Sequence, residues 1–351
     1  MRYRGALSLA AAAMVSLTAA AANAQSPAKG KSPAAPTKAW TLGRTPDGQP
    51  DLQGVWANNN ITPLERPKAW EGKPTLTDQE LADVKKAVAE IVSNDGDAQF
   101  GDGLINAAIN KMKNPGSYDP STGNYNQFWL VDRDFPDNRT SLVTDPADGK
   151  IPAMTPQALK QIADQREHEK NHPADGPEDR SLGERCVNFT VPRLSPGYNS
   201  YFQIIQSPTH VAIIAEMAHD ARIVPLDGRA QLNRDVQQWN GSGRAHWEGN
   251  TLVVETANFS KDSEFRGVSQ AGVKMTERFT RVGADTLNWE VTINDPNTYA
   301  KPWTVMIPLK GKAEQVFEYA CHEGNEGMFG TLSGHRAAER EAAQAAKKGS
   351  N

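Results

Sequence analysis

The sequence predicts a mainly β protein built on an antiparallel, barrel-like sheet with additional helices and long loops. Three observations carry this. Between residues 200 and 322, apolar and polar residues alternate in runs of strand length, the period at which a half-buried strand turns every second side chain inward. Turn residues separate the runs, and the stretches with clear helix-start signals come before them. Ionisable residues, His219, Glu277 and His322 among them, sit inside or beside the apolar runs, where burial needs a partner or a task.

Residues 1–24 read as a secretory signal peptide. Arg2 and Arg4 supply the positive start, residues 7–22 an alanine-rich apolar stretch, and Ala22-Asn23-Ala24 the small-x-small cleavage pattern. The mature chain is expected to begin at Gln25 and to work in a periplasm or outside the cell. No cysteine follows the cleavage site, which argues against a lipid anchor, and no later stretch has the ~20 apolar residues of a membrane span. Residues 25–39, rich in Ser, Pro, Ala and Lys, read as a flexible leader. A single β-rich domain is expected over 40–335, followed by a polar C-terminal tail, 336–351, of solvated and fraying helical character.

Within the domain, the turn chemistry of Pro46-Asp47-Gly48 leads into Gly54-Val55-Trp56, a first strand. Thr77 with Glu80 is a capping box opening a helix to about Val92. Thr155-Pro156 opens a second, with Thr as N-cap and Pro at the first helical position. Residues 93–150 lie between them, rich in Asn, Asp, Gly and Pro, with Tyr118, Tyr125, Phe128, Trp129 and Phe135. That stretch reads as a long loop across the mouth of the sheet. Strands are expected at 211–215, 251–255, 273–282, 287–291, 303–307 and a last one at 317–322.

The charge balance is 38 Lys plus Arg against 42 Asp plus Glu; loss of Arg2 and Arg4 with the signal leaves 36 against 42, a net charge of −6. This gives no electrostatic support for nucleic-acid or anionic-membrane binding. Cys186 and Cys321 in an exported chain read most naturally as a disulfide, with two buried thiols as the alternative that sequence leaves open. No nucleophile elbow, phosphate loop or dinucleotide fingerprint is present, so no cofactor is expected.

His168-Glu169-Lys170-Asn171-His172 matches H-E-x-x-H, a spacing that sets two imidazoles on one helix face for zinc. Its helix is strongly charged with no broad apolar face, and Pro173 disfavours helical geometry at His172. The motif therefore reads as a solvated helix end, and no metal is expected.

Strand parity selects the candidate site. Treated as one extended run, 211–224 puts Val211, Ile213, Ala215, Met217, His219, Ala221 and Ile223 on an apolar face and Glu216, Asp220 and Arg222 on the other. Glu277 shares the apolar face of Met275 and Phe279, where a carboxylate must be paired or shifted in pKa. Tyr319, His322 and Glu323 close the final run, at a strand end facing a barrel mouth. The expected catalytic residues are His219, Glu277, Tyr319, His322 and Glu323; Asp220, Arg222, Trp56 and Trp289 are the expected substrate-binding residues.

Four blocks, RTPDG with DLQGVW (44–48 and 51–56), LGERC (182–186), HDARIVPLDG (219–228) and YACHEGN (319–325), resemble those of a family of largely uncharacterised secreted bacterial proteins. The resemblance covers nearly all of the mature chain and implies no activity. A weaker likeness, carried by Gly54-Val55-Trp56 and the strand succession, is to lipocalin-like barrels. The reading that results is a secreted enzyme, a lyase or hydrolase using general acid and base side chains on a small aromatic or carbohydrate-derived molecule. The alternative is a non-catalytic lipocalin-like protein for a small apolar ligand.

Overall fold

The alternating runs at 211–215, 251–255, 287–291 and 303–307 become strands. A computed structural model describes residues 40–93, 98–99, 102–112, 133–189, 191–312 and 315–349, with the backbone alone for His219. The segments expected as signal and leader, and Tyr118, Tyr125, Phe128 and Trp129, lie outside the described residues. In chain order the first elements are β1 (Gly54–Ala57), α1 (Asp78–Ser93), α2 (Gly103–Ile109), β2 (Val143–Asp145) and α3 (Pro156–Asn171). Then come β3 (Tyr201–Gln206), β4 (His210–Ala215), β5 (Ala221–Pro225), β6 (Ser242–Glu248), β7 (Thr251–Ala257), β8 (Glu264–Phe265) and β9 (Val268–Ser269). The last are β10 (Lys274–Gly283), β11 (Thr286–Asn294), β12 (Trp303–Lys312) and α4 (Glu326–Gly349).

One antiparallel sheet runs β5-β4-β3-β1-β12-β11-β10-β7-β6, with β2 added to β12, and β8-β9 form a separate hairpin. Its longest strands carry the core in period-two columns: Met275, Glu277 and Phe279 on β10, Leu287, Trp289, Val291 and Ile293 on β11, Trp303, Val305, Ile307 and Leu309 on β12. Register aligns these columns, Phe279 opposite Trp289 and Trp289 opposite Ile307, and the Phe279 and Trp289 rings stack at 6.1 Å. Each fully buried side chain of this size stabilises by about 1.5–3 kcal/mol, so the β10-β11-β12 meander anchors the fold.

The sheet curls on itself. Arg222 on β5 touches Glu277 on β10, six steps away along the strand order, which in a flat sheet would be roughly 29 Å at about 4.8 Å per step. The edges β5 and β6 come close enough that a Cβ added at Gly243 would lie 3.2 Å from both Val224 methyls. Among the described residues no ladder joins the two edges, and the structure is a large curled antiparallel sheet with β5 and β6 at its unladdered edges. Trp56 packs in the core at 2 % exposure, donates its indole N–H to the Leu52 carbonyl, and is covered by the Arg281 guanidinium at 5.2 Å, a cation–π contact.

The helix starts follow from their caps. Thr77 and Glu80 exchange hydrogen bonds at the start of α1, Thr77 N–H to Glu80 at 2.9 Å and Glu80 N–H to Thr77 Oγ1 at 3.3 Å. Thr155 Oγ1 accepts from Ala158 N–H at 3.1 Å at the start of α3. The stretch read as a continuous loop contains a helix, α2, which packs on α1 in a second small core of Ile61, Val88, Ile91, Leu104, Ile105 and Phe135. Seven residues are too few for a helical period to stand out from sequence; burial of Leu104 and Ile105 against α1 holds it.

Two further expectations are corrected. Residues 315–321 are not a strand: β12 is the last strand among the described residues, and Phe317 N–H then donates to the side chain of Glu216, just past the end of β4, at 3.1 Å. The C-terminal helix begins at Glu326 and runs through the expected boundary at 335/336 without a break. Cys186 and Cys321 form a disulfide with Cα atoms 5.6 Å apart. No helix among the described residues is long and apolar enough to cross a membrane.

Candidate functional site

The site grows from the connection between β4 and β5. The run 211–224 is broken by a 3-10 turn at Met217–His219, in which Ala218 takes φ +57°, ψ +15°, a left-handed conformation that costs a side-chain-bearing residue about 1–2 kcal/mol. The turn folds β5 back on β4 with Arg222 opposite Ile213, and directly opposed residues project to one face. Arg222 therefore points inward with Ile213, whereas Ile223, expected on the apolar face, is 62 % exposed. The single-run parity was wrong because the turn reverses it.

Inside the curl, Arg222 grips Glu277 with two hydrogen bonds, Nη1 to Oε2 at 2.5 Å and Nη2 to Oε1 at 2.9 Å, and Trp289 donates its indole N–H to Oε1 at 3.1 Å. Glu277 has 0 % exposure. A carboxylate so paired has its oxygens taken up by Arg222 and Trp289 and is closed to solvent. It orients Arg222 and Trp289; it is not placed to exchange a proton with a ligand, which corrects its expected catalytic role.

Arg222 and Trp289, with Phe202, Ile213, Asp220 and Arg193, surround a gap of about 20 Å³, space for one water-sized group. Arg193 also lines a larger open cleft of about 570 Å³, together with Phe189, Leu194, Tyr198, Met217, Phe265, Glu264 and Arg266. Pro192 and Arg193 line both gap and cleft, and Arg193 is the charged residue of the two. Its Nη1 is buried and, among the described residues, has no hydrogen-bond partner, a state costing about 1–3 kcal/mol unless something supplies an acceptor. Burial pushes its guanidinium below the ordinary arginine range, with Tyr198, Tyr319 and Asp220 acting in the other direction.

The β8-β9 hairpin forms the opposite wall. Arg266 and Gly267, both with positive φ, at +56° and +79°, make the two-residue turn that a tight hairpin requires, which presents Glu264, Phe265 and Arg266 to the cleft. The Glu264 carboxyl reaches solvent, yet partial desolvation and then the nearby negative Glu169 of α3 raise its pKa. A carboxyl of raised pKa at a cleft is suited to carry a proton.

The expected residues divide accordingly. Asp220, Arg222 and Trp289 meet at the gap. Tyr319 packs edge-on at 5.7 Å against Phe189, a residue of the cleft lining. His322 and Glu323 are exposed in the turn before α4, so the expected convergence of His322 with Glu277 does not occur. Trp56 is committed to Leu52 and Arg281 rather than to the cleft. The side chain of His219 lies outside the description.

Arg193, Tyr198, Glu264 and Arg266 were not expected. Arg193 belongs to an irregular segment where parity has no meaning; its one sequence signal is a cation set between Pro192 and Leu194. Glu264 had a readable signal, since Phe-Arg-Gly-Val (265–268) carries hairpin turn chemistry. A second cleft, about 390 Å³ at the β5-β6 seam, is lined by Arg222, Arg229 and Arg244. These are already engaged by Glu277, by Asp227, and by the Ala230 and Gly243 carbonyls. The H-E-x-x-H histidines point to separate carboxylates, His168 Nε2 to Asp179 at 3.2 Å and His172 Nδ1 to Asp175 at 2.7 Å, while their rings stack at 4.8 Å. They do not form the two-imidazole zinc arrangement of a peptidase.

Comparison of the chain with family models, with curated proteins and with solved structures gives no match.

Proposed function

We propose that the chain is a secreted or periplasmic protein that takes a small organic acid with an apolar body into the cleft beside Arg193 and acts on it by general acid–base chemistry without a cofactor, as a lyase or hydrolase. The observation that carries this is the Arg193 Nη1, buried without a partner among the described residues at the junction of cleft and gap. An acidic group of the ligand supplies the missing acceptor, and the apolar body fits against Phe189, Leu194, Met217 and Phe265. Glu264 carries the proton, and Tyr319 is the second proton-transfer group.

The sequence blocks support the same reading. LGERC and YACHEGN are joined by the Cys186–Cys321 disulfide, and HDARIVPLDG contributes Asp220 and Arg222 to the gap. We read the chain as a member of the secreted bacterial family that these blocks resemble, and its curled sheet as a lipocalin-like barrel left unladdered between β5 and β6.

The test is a thermal-shift panel of aromatic and sugar acids with their uncharged analogues, run on the mature chain, Arg193→Gln and Arg193→Lys. Acids should raise Tm selectively, with the response lost in Arg193→Gln and partly kept in Arg193→Lys. Equal responses to acids and uncharged analogues sink the proposal. For any acid that binds, turnover whose alkaline or acidic limb moves in Glu264→Gln supports the enzyme; binding without turnover establishes the non-catalytic binding protein.

A further inference from the structure

Away from the cleft, the end of α3 meets the middle of α4 in a cluster that neither the fold nor the proposed chemistry uses. Asp175, His335 and Glu339 each offer one donor atom, and the three atoms lie within 4.8 Å of one another. His335 Nε2 lies 3.5 Å from Asp175 Oδ1 and 3.4 Å from Glu339 Oε1. Donors bound to zinc at about 2.0–2.2 Å in a tetrahedron stand about 3.3–3.6 Å apart along its edges. The two contacts of His335 have that spacing.

Two features set the cluster apart from an ordinary surface ion-pair group. His335 and Glu339 are four residues apart on α4 and so share one helix face, stacked over successive turns. Asp175 is oriented from behind by His172, whose Nδ1 lies 2.7 Å from Oδ2, leaving Oδ1 toward the cluster; a ligating carboxylate held by an outer partner is a recurring feature of metal sites. Arg336 stands in competition: its Nη2 is 3.0 Å from Glu339 Oε1 and 3.7 Å from Asp175 Oδ1, and also donates to the Ala174 carbonyl at 3.1 Å.

We propose that Asp175, His335 and Glu339 form a zinc site, completed by solvent, that clamps α4 to the end of α3. The helix needs such a tether, since α4 spans 24 residues and buries none. A divalent ion displaces the Arg336 guanidinium from Glu339, leaving it on the backbone carbonyl of Ala174. The site is distinct from the H-E-x-x-H geometry: His172 serves as the support of Asp175, and His168, paired with Asp179, takes no part.

The experiment titrates zinc chloride into the chelator-treated full-length mature chain by calorimetry, with the absorption spectrum of the cobalt(II)-loaded protein as a second readout of coordination. One zinc per chain is expected, with affinity falling about tenfold or more in His335→Gln and in Glu339→Gln, rising in Arg336→Gln, and unchanged in His168→Gln. His168 and Glu339 are exposed and His335 and Arg336 half-buried, and circular dichroism checks that the variants stay folded. Absence of saturable zinc uptake by the wild type, or uptake that survives both His335→Gln and Glu339→Gln, overturns the proposal, as does loss of uptake in His168→Gln.

Discussion

Arg222 and Glu277 are joined by a bidentate pair, 2.5 and 2.9 Å, although six steps of the strand order separate β5 from β10. The pair spans the inside of the curl at a place where no ladder connects the two edges. A buried pair of this kind is weak evidence of net stability, because both ions give up their hydration, yet removing one partner leaves the other charge stranded. Arg222→Met should therefore cost about 3–5 kcal/mol. The double variant Arg222→Met/Glu277→Gln, which keeps an acceptor for the Trp289 indole N–H, should recover most of that loss. Urea unfolding of the two variants measures the difference; a double variant as unstable as the single one would show that the pair itself, rather than the orphaned carboxylate, sets the cost.

Ala218 holds a left-handed backbone at the turn that reverses the parity of β5. Glycine adopts that conformation without the Cβ conflict, so Ala218→Gly should stabilise the protein by about 1 kcal/mol, net of the added freedom of the unfolded chain. Chemical denaturation checks it, with Ala215→Gly in the adjoining strand as a control that should lose stability. A loss at both positions would mean that the turn is not strained.

This turn also marks the boundary of what the sequence makes legible. The strands of β10, β11 and β12, the capped starts of α1 and α3 and the inward Glu277 follow from period and caps, because each depends on neighbours within a few residues. The orientation of Arg222 does not follow, since a single left-handed residue with no glycine to announce it reversed the face. Arg193 and Glu264 escaped for a related reason: one sits in an irregular segment and the other in a two-residue strand, where alternation has too few positions to be read. Tyr319 reaches the cleft region by way of the disulfide rather than by strand parity, which is why His322 and Glu323, assigned by the same parity, turn out exposed.

Cys186 and Cys321 are 135 residues apart in sequence, and a loop of that length sets a loop-entropy ceiling of about 5 kcal/mol on the bond. The core strands do not depend on it, since the disulfide joins the 182–187 turn to the segment after β12. The double variant Cys186→Ser/Cys321→Ser should lower Tm while speeding amide exchange in residues 181–189 and 315–325, with β10 and β11 keeping their protection. Hydrogen-exchange mass spectrometry reads both. Uniformly faster exchange across β10 and β11 would contradict this local role.

Asp102 accepts a hydrogen bond from Leu64 N–H at 2.9 Å, and Leu64 lines the open cleft. Burial raises its pKa, outweighing that hydrogen bond, with Glu65 adding to the rise and Arg266 and Lys150 opposing it. The folded state thus holds this proton to higher pH than the unfolded chain does. Between the unfolded and folded values the native state binds more protons, so stability falls as pH rises through that window, and the penalty is fully present above the folded pKa. Asn at this position keeps an acceptor for Leu64 and carries no charge. Asp102→Asn should therefore be more stable than wild type at neutral pH, with the advantage shrinking as pH drops and vanishing below the ordinary aspartate range, where Asp102 is protonated in both states. Unfolding free energies measured across that range decide it: a constant difference, or one that grows toward low pH, would show that Asp102 is not held against its charge by burial.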